Sequence, residues 1–133
     1  MNWMLDTNAC IRYLNGRSLP LKEHLDRTGA ANIVVCSVVK AELFFGAARS
    51  NDPARTKEKQ QQFLSRFLSL PFDDRAAEVY ATIRAALAEI GTPIGPNDTL
   101  IASIAIANDV TLVTHNVSEF SRVPNLKVED WES

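Results

Sequence analysis

Two periodicities alternate along this chain. Short apolar runs, the mark of buried strands, are separated by longer stretches where apolar residues recur every three or four positions, the mark of helices. Trp3-Met4-Leu5 is the first such run and leads straight into Asp6-Thr7-Asn8. Over residues 8–15, Ile11 and Leu14 stand at helical spacing, with a stop at Gly16. A second helix is predicted over 19–28, opening near Pro20 and closing at Gly29. Ile33-Val34-Val35-Cys36 reads as a second strand, and Ser37 is placed to cap a helix that runs to Ala48. Asn51-Asp52-Pro53 starts a helix predicted over 53–69, polar at first and apolar at Phe63, Leu64, Phe67 and Leu68. After a brief extended piece at Leu70-Pro71-Phe72, Asp73-Asp74 caps a helix over 75–90. Its predicted apolar face is Ala77, Tyr80, Ile83, Leu87 and Ile90, and Gly91 is its stop. Pro93-Ile94-Gly95-Pro96 is a stiff loop, and Asn97-Asp98 opens an apolar helix to Ala107. Val110 to Thr114 is a third strand, and Leu126-Lys127-Val128 is read as a last one.

Strands separated by helices predict an α/β fold: a three-layer α/β/α arrangement of an open, mainly parallel sheet flanked by helices. In such sheets ligands bind at the carboxyl ends of the strands. Asp6 directly follows the first strand, and Thr114-His115-Asn116 the third. Glu42 lies a turn into the helix after the second strand, and Asp98 starts the helix that leads into the third. Four points distant in sequence are thus predicted to converge on one edge.

The 133 residues suit a single domain. No apolar stretch approaches the ~18–20 residues that cross a bilayer, and the start of the chain does not read as a signal peptide. Cys10 and Cys36 match no metal-ligand spacing and suggest no disulfide framework, which favours a reducing, cytoplasmic setting. The net charge of −2 hides an asymmetry. Residues 1–66 hold ten Lys/Arg against six Asp/Glu, and residues 67–133 hold four against ten. A basic surface can therefore exist on an acidic protein.

Each candidate acid also has a structural reading. Asp6 and Asp98 suit helix N-caps, yet Thr7, Asn8 and Asn97 beside them could cap equally well. Glu42 is harder to explain away. Its helical neighbours three and four residues off are Val38, Val39, Phe45 and Gly46, none charged. A carboxylate on such a face needs a partner. Gathered carboxylates repel one another unless a hard divalent cation such as Mg2+ or Mn2+ joins them, and no His/Cys set here offers a zinc site. Such a cluster suits phosphodiester hydrolysis. His24 is placed on a surface helix, and His115 stands where it could line the site.

The motifs that carry a resemblance are Met4-Leu5-Asp6-Thr7-Asn8; Ser37 to Gly46; Gly91 to Asp98 with Leu100-Ile101-Ala102; Leu112 to Asn116 with Glu119-Phe120; and Arg122 to Trp131. In this order, over essentially the whole chain, they resemble PIN-domain ribonucleases, specifically the VapC-type toxins of bacterial toxin–antitoxin pairs. The resemblance implies that Asp6, Glu42 and Asp98 hold Mg2+ or Mn2+, with Thr7, Asn8 and Thr114 in support. It puts Asn116 where many PIN domains carry a fourth acid, with Glu119 in reserve. It further implies a Mg2+- or Mn2+-dependent endoribonuclease that cuts tRNA in the anticodon region, a homodimer, and a VapB-like antitoxin lying in a groove beside the acids. The helices at 53–69 and 75–90 are the expected wall of that groove, and Arg49, Arg55, Lys57 and Lys59 the expected grip on RNA phosphates.

Two other readings compete. Aspartyl-phosphate chemistry also places an Asp after a first strand. Receivers, however, want acids before it, and the phosphatases want a second Asp at the position Asn8 holds. A non-catalytic module that binds RNA or protein through the same crevice is the other alternative, against which the intact acid trio counts.

Overall fold

The structure, a computed structural model, describes residues 2–132. Five strands form one parallel sheet: β1 (Trp3–Leu5), β2 (Ile33–Cys36), β3 (Leu68–Leu70), β4 (Thr111–Val113) and β5 (Val128–Glu129), in the order β3-β2-β1-β4-β5. Seven α-helices flank it: α1 (Thr7–Leu14), α2 (Leu19–Thr28), α3 (Ser37–Ala48), α4 (Pro53–Leu64), α5 (Asp74–Glu89), α6 (Pro96–Ala107) and α7 (Val117–Phe120). The three-layer α/β architecture follows from the alternation read above, because parallel neighbours need a crossover and a helix covers each face.

The centre of the sheet is dry. Met4, Leu5, Val34, Val35, Leu112 and Val113 are all buried, as expected for strands covered on both faces. The register places Met4 beside Val34 on one side and beside Leu112 on the other. α6 is buried almost all round, from Ile101 to Ala105, which explains its near-continuous apolar sequence. Gly29 and Gly91 end α2 and α5 at φ 86° and 71°, a region that disfavours side chains.

Four expectations need correction. The helix predicted over 53–69 ends at Leu64, because Leu68–Leu70 pairs with β2 as an edge strand, Cys36 facing Leu70. The apolar positions 63, 64, 67 and 68 mimic a helical stripe, yet Leu68 points to solvent and Phe67 inward. Ser37 does not cap α3. Its strand partner extends β2 through Cys36, so Ser37 becomes the first helical residue and its hydroxyl reaches Leu70 O at 3.5 Å. The buried face of α5 is Ala76, Ile83 and Leu87, with Val79 packed beside them. Ala77 and Ile90 are exposed, and Tyr80 sits half-buried edge-on to Phe72. The last strand is Val128–Glu129 rather than 126–128, since Val128 pairs with Leu112.

Asp73 accepts from Ala76 N at 3.0 Å and closes the first turn of α5. Asp73→Ala is expected to cost about 1 kcal/mol, the usual worth of a cap. The check is a lower urea midpoint at unchanged slope.

Candidate active site

The carboxyl edge of β1, β2 and β4 receives acids from four elements. Asp6 is the first residue beyond β1. Its N–H donates to Val113 O at 3.1 Å, and its carboxylate accepts from Ala9 N at 2.8 Å. It is therefore the N-cap of α1 and lies at the carboxyl edge of the sheet, so the cap does not take it away from that edge. It is 4% exposed. Burial pushes its carboxyl up to about 6, against the pull of hydrogen bonds from Thr114 and Ala9.

Glu42 finds the partners its apolar face demanded. Thr7 donates a short hydroxyl hydrogen bond to one oxygen, and the Asn97 amide donates to the other at 3.2 Å. The first turn of α1 and the start of α6 thus orient one carboxylate of α3. Both donors are neutral, so the charge of Glu42 stays uncompensated by any cation among these contacts.

Asp98 is in the first turn of α6, but the cap of that helix is Gly95, with no side-chain cap bond. Capping therefore does not account for Asp98. Its partner is Glu119, from the one-turn helix α7. Burial, then the Glu119 hydrogen bond and charge, raise the Asp98 carboxyl to about 7, while Glu42 and Asp6 push the same way. Glu119 is held low by the same bond to Asp98, and by donation from the Asn116 amide at 2.8 Å and Gly95 N at 3.2 Å. The pairing thus pushes the two acids in opposite directions, the more buried Asp98 upward and Glu119 downward.

Asn116 thus serves this edge chiefly by aiming Glu119. Its own N–H donates to the Thr114 hydroxyl at 2.9 Å, and Thr114 in turn bonds Asp6. Asn8 is exposed at the lip, between a cavity on the Glu42 side and another on the Asn116 side. The sequence places Glu119 only in reserve and Asn97 only as a spare cap, whereas the structure gives both a carboxylate partner at this edge. The signal for Glu119 was its spacing of three from Asn116, which needs a helical turn that four residues do not announce.

Other candidates fall elsewhere. His24 is no surface bystander, since its ring stacks on Trp131 at 4.1 Å. His115 is exposed and pairs with Asp130 at 3.0 Å. Lys57 lies over the Phe44 ring at 5.0 Å and Arg49 over Phe45 at 5.6 Å, while Arg55 and Lys59 are exposed on α4. Of the two helices expected to wall a groove beside the acids, α4 lines with α1 and α3 a cavity of about 360 Å³ that holds none of the acids, while the cavity lined by Glu42 is walled by α1, α3 and α6. α5 packs instead against α6, where a separate cavity runs from Tyr80 to Thr99.

The PIN domain family model matches residues 3–126. The chain belongs to the PIN-domain family. Within that family it is 39% identical to "Ribonuclease VapC2" of Rickettsia felis, over 99% of each chain. It is 36% identical to "tRNA(fMet)-specific endonuclease VapC" of Salmonella typhimurium, over 98% of each. A solved structure of DNA-bound VapBC from S. typhimurium superposes with a TM-score of 0.93 at 36% identity, covering 98% of both chains. This PIN-domain chain is accordingly a VapC-type endoribonuclease. No helix among the described residues is long and apolar enough to cross a membrane.

Proposed function

We propose that this chain hydrolyses phosphodiester bonds in the anticodon region of tRNA, with Asp6, Glu42, Asp98 and Asn116 as its catalytic set. Thr7, Asn8 and Thr114 support that set. The observation that carries the reading is the crowding of Asp6, Glu42 and Asp98 with Glu119 at one sheet edge, which together with burial raises the Asp6 and Asp98 carboxyls above their ordinary range. Such a donor set, all oxygen and short of cations, fits a hard divalent ion. Asp6, Glu42 and Asp98 would hold Mg2+ or Mn2+. What the bound cation supplies is charge neutralisation on the phosphoryl oxygens and a more acidic water.

The chain's own groups do the rest. Ala9 N–H and Thr114 fix one carboxylate, while Thr7 and Asn97 fix another, so neither needs to reorganise as charge builds on the phosphate. Asn116 keeps Glu119 against Asp98 through its amide hydrogen bond, so the Asp98 carboxylate is held in place at the edge of the set. The tRNA target rests on resemblance and on the printed name of the S. typhimurium relative. The same grounds give a VapB-like antitoxin as partner, a homodimer as the working form, and the toxin role. The buried free cysteines Cys10 and Cys36 suit a cytoplasmic setting.

The test is cleavage of total tRNA by the purified full chain in the presence of Mg2+ or Mn2+, with the new 5′ ends sequenced. Cuts confined to anticodon loops are expected. Intact tRNA with either ion present overturns the reading, and cuts spread outside the anticodon region overturn the substrate assignment.

A further inference from the structure

A cavity of about 440 Å³ opens on the far side of Asn8 from Glu42, within the ~300–1,000 Å³ of small-ligand sites. Its polar lining is Asn8, Asn15 and Asn116, with Arg12, Arg17 and His115. Among the described residues no carboxylate and no Phe, Tyr or Trp ring lines it, so its chemistry is the reverse of the acid edge it adjoins. A lining dominated by amide, guanidinium and imidazole donors suits an anion.

Two of the donors are mounted rather than loose. Arg12 donates its Nε to Glu132, whose side chain is 5% exposed, and His115 pairs with Asp130. Both acids come from the C-terminal segment behind the cavity. Arg17 is exposed and has no acid partner among the described residues. His115, Asp130 and Glu132 do approach one another within 4.8 Å, as metal ligands would. A metal there would sit against the Arg12 charge that already occupies Glu132, and that repulsion favours the anion.

We infer that this cavity is a subsite for a backbone phosphate of the RNA, neighbouring the one that is cut. The Asn8–Asn116 lip, which borders the acid edge, seats the strand between the two sites. Arg17 is the free charge that closes on the phosphate, and Arg12 and His115 are its fixed donors. This rests on the ribonuclease reading. It also moves the main phosphate grip from Arg49, Arg55, Lys57 and Lys59, two of which lie on aromatic rings, to the loop after α1.

Binding is measured by fluorescence anisotropy of a labelled tRNA anticodon stem-loop, over a range of KCl, in an Asp98→Asn background so that the RNA survives. Arg17→Ala is expected to weaken binding about tenfold and to lower the slope of log Kd against log salt by about 0.7, one single-strand phosphate contact. Arg17→Lys should restore the slope, and Arg75→Ala on α5 should leave both unchanged. An Arg17→Ala chain that binds like its parent, with the same slope, overturns the subsite even where the Asp98 form cleaves tRNA normally. Should the chain prove not to cleave RNA at all, inorganic pyrophosphate is the probe. Movement of the His115 ring NMR signals, lost in Arg17→Ala, upholds the cavity while the ribonuclease reading falls; unmoved signals overturn it.

Discussion

Asp98→Asn is expected to reduce RNA cleavage by at least a thousandfold and, at the same time, to leave a chain no less stable than its parent. The amide keeps the shape of the side chain and its place in the first turn of α6, but it has no charge with which to hold a cation. Asp6→Asn should behave alike, with a stability effect that is easier to assign because Asp6 is not paired with a second acid as Asp98 is with Glu119. Asparagine caps helices about as well as aspartate, so acceptance of the Ala9 N–H survives. The charge does not. The folded carboxyl of Asp6 sits at about 6 against an ordinary 3.8. A raised acid favours the fold most below its unfolded value, and that benefit disappears as pH rises through about 6. At pH 7.5 the ionised carboxylate therefore costs the metal-free chain on the order of 2–3 kcal/mol, from about 1.4 kcal/mol per unit. Asp6→Asn removes this cost. Thermal unfolding in chelator should show the variant melting several degrees above the parent at pH 7.5, with the gap closing towards pH 4. A variant that cleaves normally, or one that melts lower at pH 7.5, contradicts the assignment. Trading stability for chemistry in this way is common at functional sites.

The second large effect concerns the cation. EDTA should stop cleavage altogether, and excess Mg2+ or Mn2+ should restore it. Because an ion bound to the folded state alone stabilises by mass action, the parent's melting temperature should climb with metal concentration, by ~2.7 kcal/mol of stability at a hundredfold excess over Kd. That rise should be greatest near pH 7.5, where Asp6 and Asp98 give up their protons most readily, and small at pH 5, where protons compete for the same oxygens. In Asp98→Asn it should shrink sharply. Cleavage that persists in chelator would remove the metal from the mechanism, and a melting temperature blind to metal in the active parent would move the ion off these residues.

The alternation of elements and the place of the principal acids were legible in one dimension. Strands such as Ile33–Cys36 announce themselves because burial on both faces leaves no polar position. Glu42 announces itself because a charge on an apolar helical face has no local partner. That partner then comes from 35 residues away in Thr7 and 55 away in Asn97, distances no local pattern spans. The helix-like stripe at 63–68 misleads for a related reason. Whether Leu68 continues α4 or becomes an edge strand depends on the open hydrogen bonds of β2, which belong to another part of the chain.

What the sequence by itself determined is therefore the α/β class and the four points that meet at one sheet edge, because periodicity and strand ends are local properties. Only the tertiary structure decided how those groups divide their charge. Asp98 is raised by its burial and by Glu119 beside it, Asn116 aims that glutamate, and the acids of the C-terminal segment hold Arg12 and His115 beside a cavity of opposite character. Electrostatic pairing depends on distance through space rather than along the chain, so the boundary between the acid edge and its basic neighbour is written in the fold alone.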